Sequence, residues 1–189
     1  DVRYNMKKLK PKTGRLLISE PSMDDANFQR SVLILAQHNQ EETIGFILNQ
    51  ETRFKINDLI ENFPKFDSRI YIGGPVERNS LHFIHTLGDK IENSVHITEN
   101  LYWSGNFQTL MSLIDEGKVS SEQVRFFAGY SGWSAGQLDY ELESDSWIVA
   151  NSNKINLDKN DKKLWRDCLK NMNKEYAIWS NMTEDPSLN

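Results

Sequence analysis

Two apolar runs, Val32-Leu-Ile-Leu-Ala36 and Ile44-Gly-Phe-Ile-Leu48, flank the polar stretch His38–Glu42, and their reading decides the fold. Runs this short, rich in β-branched residues and joined by a polar connection, predict a β-hairpin. Neither run alternates apolar with polar, so both faces of these strands are expected to be covered and the pair to lie centrally in a sheet. Gly45, inside the second run, predicts a bulge or the close approach of another backbone.

Upstream, order is expected to begin at Gly14, with Arg15–Ser19 as a short strand. Pro21 and the polar residues after it break that strand, and Asp24-Asp25 reads as the cap of one helical turn ending near Phe28. Downstream, Ile56–Phe63 is a short helical segment stopped by Pro64, and Arg69–Ile72 is a strand ending in the hard turn Gly73-Gly74-Pro75. Ser80–Leu87 and Ser94–Thr98 read as strands separated by Gly88-Asp89. Phe107, Leu110, Met111 and Ile114 fall at i, i+3, i+4 and i+7, one apolar helical stripe, and Gly117 closes it. After Ser120-Ser121-Glu122, Val124–Ala128 is a strand running into Gly129-Tyr130-Ser131-Gly132-Trp133. Leu138, Tyr140 and Leu142 alternate with acidic residues as in a strand, but strand–glycine turn–helix is a common packing unit, which favours a helix capped by Ser134 and carrying Leu138 and Leu142. Trp147–Ala150 is a strand, and Trp165, Cys168, Leu169 and Met172 share one face of a last helix. Strands and helices mix without strict βαβ alternation. The expected class is therefore α+β, a single domain with a mixed or largely antiparallel sheet packed with helices. A lysine-rich lead-in spans 1–13, the domain 14–182 and a loose polar tail 183–189.

Composition bounds the function. The 189 residues are 38% hydrophobic and 26% charged, with 5 Trp, 6 Tyr and 9 Phe, too apolar and aromatic for a disordered chain. No apolar run approaches the ~20 residues a membrane-spanning helix needs, and no secretory-signal pattern is present. The net charge is −5. Nucleic-acid binders rest on phosphate neutralisation by a basic excess, and the one basic cluster here is Lys7, Lys8, Lys10, Lys12 and Arg15, read as a solvated, mobile arm, with a phosphate-contacting arm as the alternative. Direct DNA binding is therefore not expected. Cys168 is the sole cysteine, so no intrachain disulfide or thiolate zinc cluster can form, which suits a reducing cytoplasm.

Several patterns could carry chemistry. No phosphate-binding loop is present, and Gly73-Gly74-Pro75 has neither enough glycines nor a following lysine. His82 and His85 are three apart; on a strand they face opposite ways and cannot share a metal, so no metal or cofactor is expected. Gly129-Tyr-Ser131-Gly-Trp133 is the sharpest candidate. A serine between glycines on a strand-to-helix turn is the setting of a nucleophile elbow. Yet Trp133 stands where that motif needs glycine, and no histidine follows His96, which excludes the order Ser, acid, His. Cys168 on an apolar stripe reads as a structural thiol. Asp24-Asp25 reads as a cap, and Asp139 and Glu141 as a solvated face.

Together, the block Leu16–Asn49, the turn Gly73-Gly74-Pro75-Val76, the segment Phe83-Ile84-His85 and above all GYSGWSAGQLDYEL at 129–142 resemble the AlgH/YqgE family of small bacterial proteins. The pieces occur in the family's order and cover most of residues 14–150. The resemblance implies an α+β single domain, cytosolic, with no established activity, cofactor or substrate. Members often carry the label of transcriptional regulator, but no helix-turn-helix spacing is evident here. Residues at family motif positions are Arg30, His38, Asn39, Gly45, Asn49, Gly73, Gly74, Pro75, His85, Gly129, Gly132, Trp133, Gly136, Gln137 and Leu138. Ser131 stands where the family often has alanine, which weighs against a catalytic serine, and Asp25-Ala26 replaces an Asp-Pro step.

The glycines and Trp133 are expected to fix turns and cover the core. Arg30, His38, Asn49 and Gln137 are polar groups at element ends, where pocket residues gather. If they converge, the protein is a non-catalytic binding or regulatory module for a small anionic or polar ligand or a protein partner. Arg30 would then supply charge, and Asn49 and Gln137 hydrogen bonds. The alternative is a serine-dependent hydrolase using Ser131.

Overall fold

The computed structural model describes residues 8–152, 157 and 162–172. The expected lead-in residues 1–7 and the tail 183–189 lie outside them. Among the described residues the strands are β1 (Leu16–Ser19), β2 (Val32–His38), β3 (Glu42–Ile47), β4 (Glu51–Lys55), β5 (Arg69–Ile72), β6 (Val76–His85), β7 (Val95–Thr98), β8 (Leu101–Trp103), β9 (Val124–Ser134) and β10 (Trp147–Ala150). The helices are α1 (Ile56–Leu59), α2 (Phe107–Asp115), α3 (Gln137–Glu143) and α4 (Leu164–Lys170). The strands form one sheet of order β10-β1-β2-β3-β9-β6-β8-β7, with β5 also on β9 and β4 on β5. Every pairing is antiparallel except that of β5 with β9. The α+β expectation with a largely antiparallel sheet is what is found.

The hairpin expected from the two apolar runs is β2–β3, paired from Leu33↔Ile47 to His38↔Thr43 with a bulge between Leu35 and Gln37. Both of its faces are buried. Ile34, Ala36, Phe46 and Leu48 belong to one cluster, and Leu33, Leu35 and Ile47 to another on the opposite face. The first cluster also holds Leu16, Ile18, Ile84, Ile97, Leu101 and Phe127. The sheet curls around this inner cluster, so that β7 returns to the start of β1. A Cβ built on Gly14 would lie 2.7 Å from Thr98 Cβ. On the outer surface α3 covers Leu17, Leu33, Trp133 and Trp147. Helix α2 lays Leu110 and Ile114 on Phe83, Val124 and Phe126, and each such buried side chain contributes about 1.5–3 kcal/mol. Asn106 starts α2 by accepting the Thr109 N–H at 3.1 Å, the N-cap bond that relieves an unpaired first-turn donor.

Strand β9 is the spine. Along one edge it pairs with β6 from Val124 to Tyr130. Along the other it pairs with β5 over Phe126–Ala128 and then with β3 over Ser131–Ser134. Strands β5 and β6 therefore lie on opposite sides of β9, about 10 Å apart at sheet spacing, yet only Gly73-Gly74-Pro75 joins them. That link passes directly across the backbone of β9. Cβ atoms built at Gly73 or Gly74 would overlap the Gly129 and Tyr130 backbone, and one at Gly129 would sit 2.7 Å from the carbonyls of Gly74 and Val76. Gly129 also holds φ at 69°, in the left-handed region that disfavours other residues. The crossing is tied by Gly73 N–H to Ala128 O (2.9 Å), and by Ile47 N–H and Ser131 Oγ, both donating to Gly73 O (2.9 and 3.0 Å).

Several expectations need correction. No nucleophile elbow forms at Ser131. Strand β9 runs on through Trp133 to Ser134, because Gly129 relieves the crossing rather than turning the chain. Helix α3 starts at Gly136 (φ 76°) with no side-chain cap, so Ser134 does not cap it; instead Gln137 Oε1 accepts Ser134 N–H and Oγ–H at 3.0 and 3.3 Å. The single turn expected near Phe28 does form, capped by Asp25, whose Oδ1 accepts Asn27 N–H and whose carbonyl accepts Phe28 and Gln29 N–H. The helix expected over 56–63 stops at Leu59. Asn57 then pins the following loop, donating to the carbonyls of Phe63 and Pro64 and accepting Phe66 N–H, so that Phe63 and Phe66 can be buried. Residues 8–13 of the expected lead-in lie along the sheet: Lys8 pairs with Asp145 at 3.1 Å, and Thr13 Oγ1 accepts His38 N–H at 3.0 Å.

The crossing yields a sharp contrast between glycines. Gly74→Ala is expected to cost more than about 4 kcal/mol in urea unfolding, the range of severe core disruption, or to abolish soluble folded protein. Gly136→Ala, with nothing within 4 Å of its Cβ position, is expected to cost about 1–2 kcal/mol for its left-handed backbone alone.

Candidate functional site

The four polar candidates do not meet. Arg30 and His38 lie at opposite ends of β2, whose seven residues span about 20 Å, and they draw one partner each. At one end Asn49 closes the entry to β2, accepting Val32 N–H at 3.0 Å and donating to Arg30 O at 2.8 Å. Its amide thus serves as a backbone bridge. The Arg30 guanidinium lies 5.1 Å from the Trp165 ring, and Trp165 in turn donates its indole N–H to Ser19 O at 2.9 Å. This end anchors α4 over the inner cluster. Nearby Arg125, 2% exposed, donates to Leu48 O (2.8 Å) and Leu157 O (3.1 Å), with its guanidinium 4.0 Å from the Tyr71 ring. Charge-assisted bonds and the ring offset part of the cost of burying it.

At the other end of β2 the hairpin turn, the end of β9 and the start of α3 converge on a cleft of about 270 Å³. His38, Asn39, Gln40 and Thr43 line it from the hairpin; Ser134, Gly136, Leu138 and Asp139 line it from the β9–α3 corner. The pairing of Glu42 with Ser134 and of Thr43 with Trp133 brings the two sides together. His38 Nδ1 and Thr43 Oγ1 are 2.7 Å apart, and Asn39 Oδ1 accepts the N–H groups of Glu41 and Glu42 at 2.8 and 2.9 Å. Gln137, which is exposed, braces Ser134 as described above. Of the four candidates, then, His38 lines the cleft and Gln137 supports its wall.

Beneath that wall, Glu141 holds two tryptophans. Its Oε2 accepts the Trp133 indole N–H at 2.6 Å and the Trp147 indole N–H at 3.2 Å. The rings meet edge to face, 6.0 Å between centroids, and Phe28 packs on both. This half-buried carboxylate clamps α3 to the sheet, so the expected solvated face is solvated at Asp139 and not at Glu141. A buried indole N–H seeks an acceptor. That need, set by Trp133, was the one signal in the sequence that could have singled out a carboxylate on the next helix. Thr43 and Asp139 gave no comparable signal, since only the pairing of β3 with β9 brings the hairpin to the β9–α3 corner.

Ser131 is fully buried and its hydroxyl is engaged with Gly73 O. Strand alternation puts His82 and His85 on opposite faces, as expected. His82 rests on Phe46 and Tyr130, with Nε2 2.9 Å from Ser80 Oγ. His85 is fully buried: Nδ1 accepts Leu87 N–H at 3.2 Å, so Nε2 carries the proton and donates to Ser104 O at 2.9 Å. Burial pushes both imidazoles below their ordinary pKa, opposed at His82 by the nearby Glu77 charge and at His85 by the bond to Ser104. Among the described residues no three His, Cys, Asp or Glu side chains cluster as a metal site would require, and no helix is long and apolar enough to cross a membrane.

A curled sheet closed by a glycine crossing, with a polar cleft at one corner and a buried histidine at another, defines a class of fold rather than a reaction. The model of the AlgH-like family matches residues 16–177. A UPF0301 protein of Cytophaga hutchinsonii is 43% identical over 178 residues, covering 93% of this chain and 98% of that relative. A UPF0301 protein of Chlorobaculum tepidum is 37% identical over 179 residues, covering 94% and 96%. The chain belongs to the AlgH-like, or UPF0301, family. Two solved structures share its fold at 23% identity: a Corynebacterium diphtheriae protein (TM-score 0.75, covering 94% of this chain and 95% of that one) and the AlgH protein of Pseudomonas aeruginosa (TM-score 0.71, covering 95% and 100%).

Two outcomes follow from the clamp and the histidines. Glu141→Ala leaves two indole N–H groups without their acceptor and is expected to cost about 2–4 kcal/mol, with a red-shifted tryptophan emission; an unchanged unfolding midpoint would show that the clamp is idle. Because the fold favours neutral His82 and His85, stability is full above the unfolded-state pKa near 6.5 and is lost as pH falls below it. Each histidine adds a slope of at most about 1.4 kcal/mol per pH unit. Urea unfolding between pH 7 and 5.5 should therefore show a slope that flattens in His82→Gln; an equal slope in the variant would remove His82 from the account.

Proposed function

We propose that this protein is a non-catalytic binding module of the cytoplasm, and that its recognition point is the cleft between the β2–β3 hairpin and the start of α3. The observation that carries the reading is the convergence there of polar side chains from three elements, each side of the cleft braced from behind. His38 is held by Thr43, Asn39 by the turn it closes, and Ser134 by Gln137. Groups fixed in advance lose little entropy when a ligand arrives. The cleft is small and open, which suits a small polar molecule or a single side chain of a protein partner. A regulatory role, the label that family members carry, would then act through such a partner. The net charge of −5 argues against DNA as that partner. The hydrolase reading loses its footing in a serine that is fully buried and bonded to Gly73 O.

A thermal-shift screen of small polar metabolites tests the reading. A ligand at ~100 times its dissociation constant adds about 2.7 kcal/mol, which raises the midpoint of a domain this size by roughly 5–10 °C. The hit is expected to be lost in His38→Ala and weakened in Gln40→Ala, both stably folded. A hit that survives both substitutions would place recognition elsewhere. A serine-directed phosphonate is expected to leave the protein unlabelled; labelling that Ser131→Ala abolishes would restore the hydrolase.

A further inference from the structure

We infer that the cleft selects a small cation, an ammonium group on a polar molecule or side chain. This rests on the cleft being the recognition point, and it reverses the anionic preference that Arg30 would have conferred. Arg30 stands at the far end of β2 over Trp165, so the charge meant to attract an anion is absent from the site. Among the residues lining the cleft, Asp139 bears the one carboxylate, and no lysine or arginine accompanies it. Asp139 takes part in none of the ion pairs among the described residues. It is exposed in the first turn of α3.

The charges around the lining are of both signs. Glu41 and Glu42 belong to the same hairpin. Of the cations that come near this corner along the chain, Lys8 is paired with Asp145 at 3.1 Å, and Lys10 and Arg15 are not among the residues that line the cleft. Lys12 precedes Thr13 but lies outside the lining. The hydroxyls of Thr43 and Ser134 and the amide oxygen of Gln40 are acceptors, the groups an ammonium's three donors require.

Three two-carbon probes of nearly equal size separate charge from fit: protonated ethanolamine, neutral ethylene glycol and anionic glycolate. Each is titrated into the intact chain at pH 7.5 and low salt, with backbone amide shifts of Asn39, Gln40, Ser134 and Gly136 as the readout. Ethanolammonium is expected to bind about tenfold more tightly than the glycol, as one carboxylate a few ångströms away allows, with glycolate weakest. Asp139→Asn should bring the ammonium to the glycol's affinity. Glycolate binding as tightly as ethanolammonium, or a preference that persists in Asp139→Asn, would overturn the inference. Equal binding of ammonium and glycol at these amides would end the charge preference and leave the cleft as a site. No response to any probe would remove the cleft reading together with this one.

Discussion

A three-residue link laid across the backbone of a central strand is the constraint from which the rest of this structure follows. Strands β5 and β6 are neighbours in sequence but are separated in the sheet by β9, and Gly73-Gly74-Pro75 must bridge them at van der Waals contact. Three glycines remove the Cβ atoms that would collide there. The Gly73 carbonyl then serves β3 and β9 at once, through Ile47 N–H and Ser131 Oγ. This single peptide is where the edge of β9 passes from β5 to β3. It joins the half of the sheet under α2 to the half under α3.

That junction also sets the location of the cleft. Because β3 takes over the edge of β9 only after Gly129, the last residues of β9 are carried to the hairpin turn of β2–β3, and Ser134 comes opposite Glu42, on the cleft that Thr43 and His38 also line. The Glu141 clamp then holds α3 in place behind them. Without the crossing, the hairpin and the β9–α3 corner would have no common register, and their polar groups would be scattered over the surface. Ser131 is explained in the same terms, since its hydroxyl adds one bond to a crossing that alanine at this position would still permit.

Much of this could be read from the chain. The hairpin, the central position of its strands, the α2 and α4 stripes and the punctuation at Gly73-Gly74-Pro75 all rest on local patterns that tertiary packing did not override. What escaped was of two kinds. Strand β4 is polar and exposed along nearly its whole length and β8 has three residues, so neither carries an apolar period to detect. The start of β6 was hidden in the same way, since Val76 to Leu81 spans an irregular stretch that leaves register with β9. The second kind is long-range. A glycine-flanked serine looks like a tight turn until one sees that the glycine serves another segment 55 residues upstream. Likewise, nothing in the spacing of Arg30 and His38 shows that a seven-residue strand holds them apart.

Native-state hydrogen exchange would test the central claim most directly. If the crossing is the keystone, the Gly73 and Ile47 amides exchange only through global unfolding. Their opening free energies should then equal the stability from urea unfolding and match those of the β2 core amides. Exchange at Gly73 and Ile47 through a local opening of clearly lower free energy, while the β2 amides stay protected, would show that the sheet holds together without the crossing and would contradict the account.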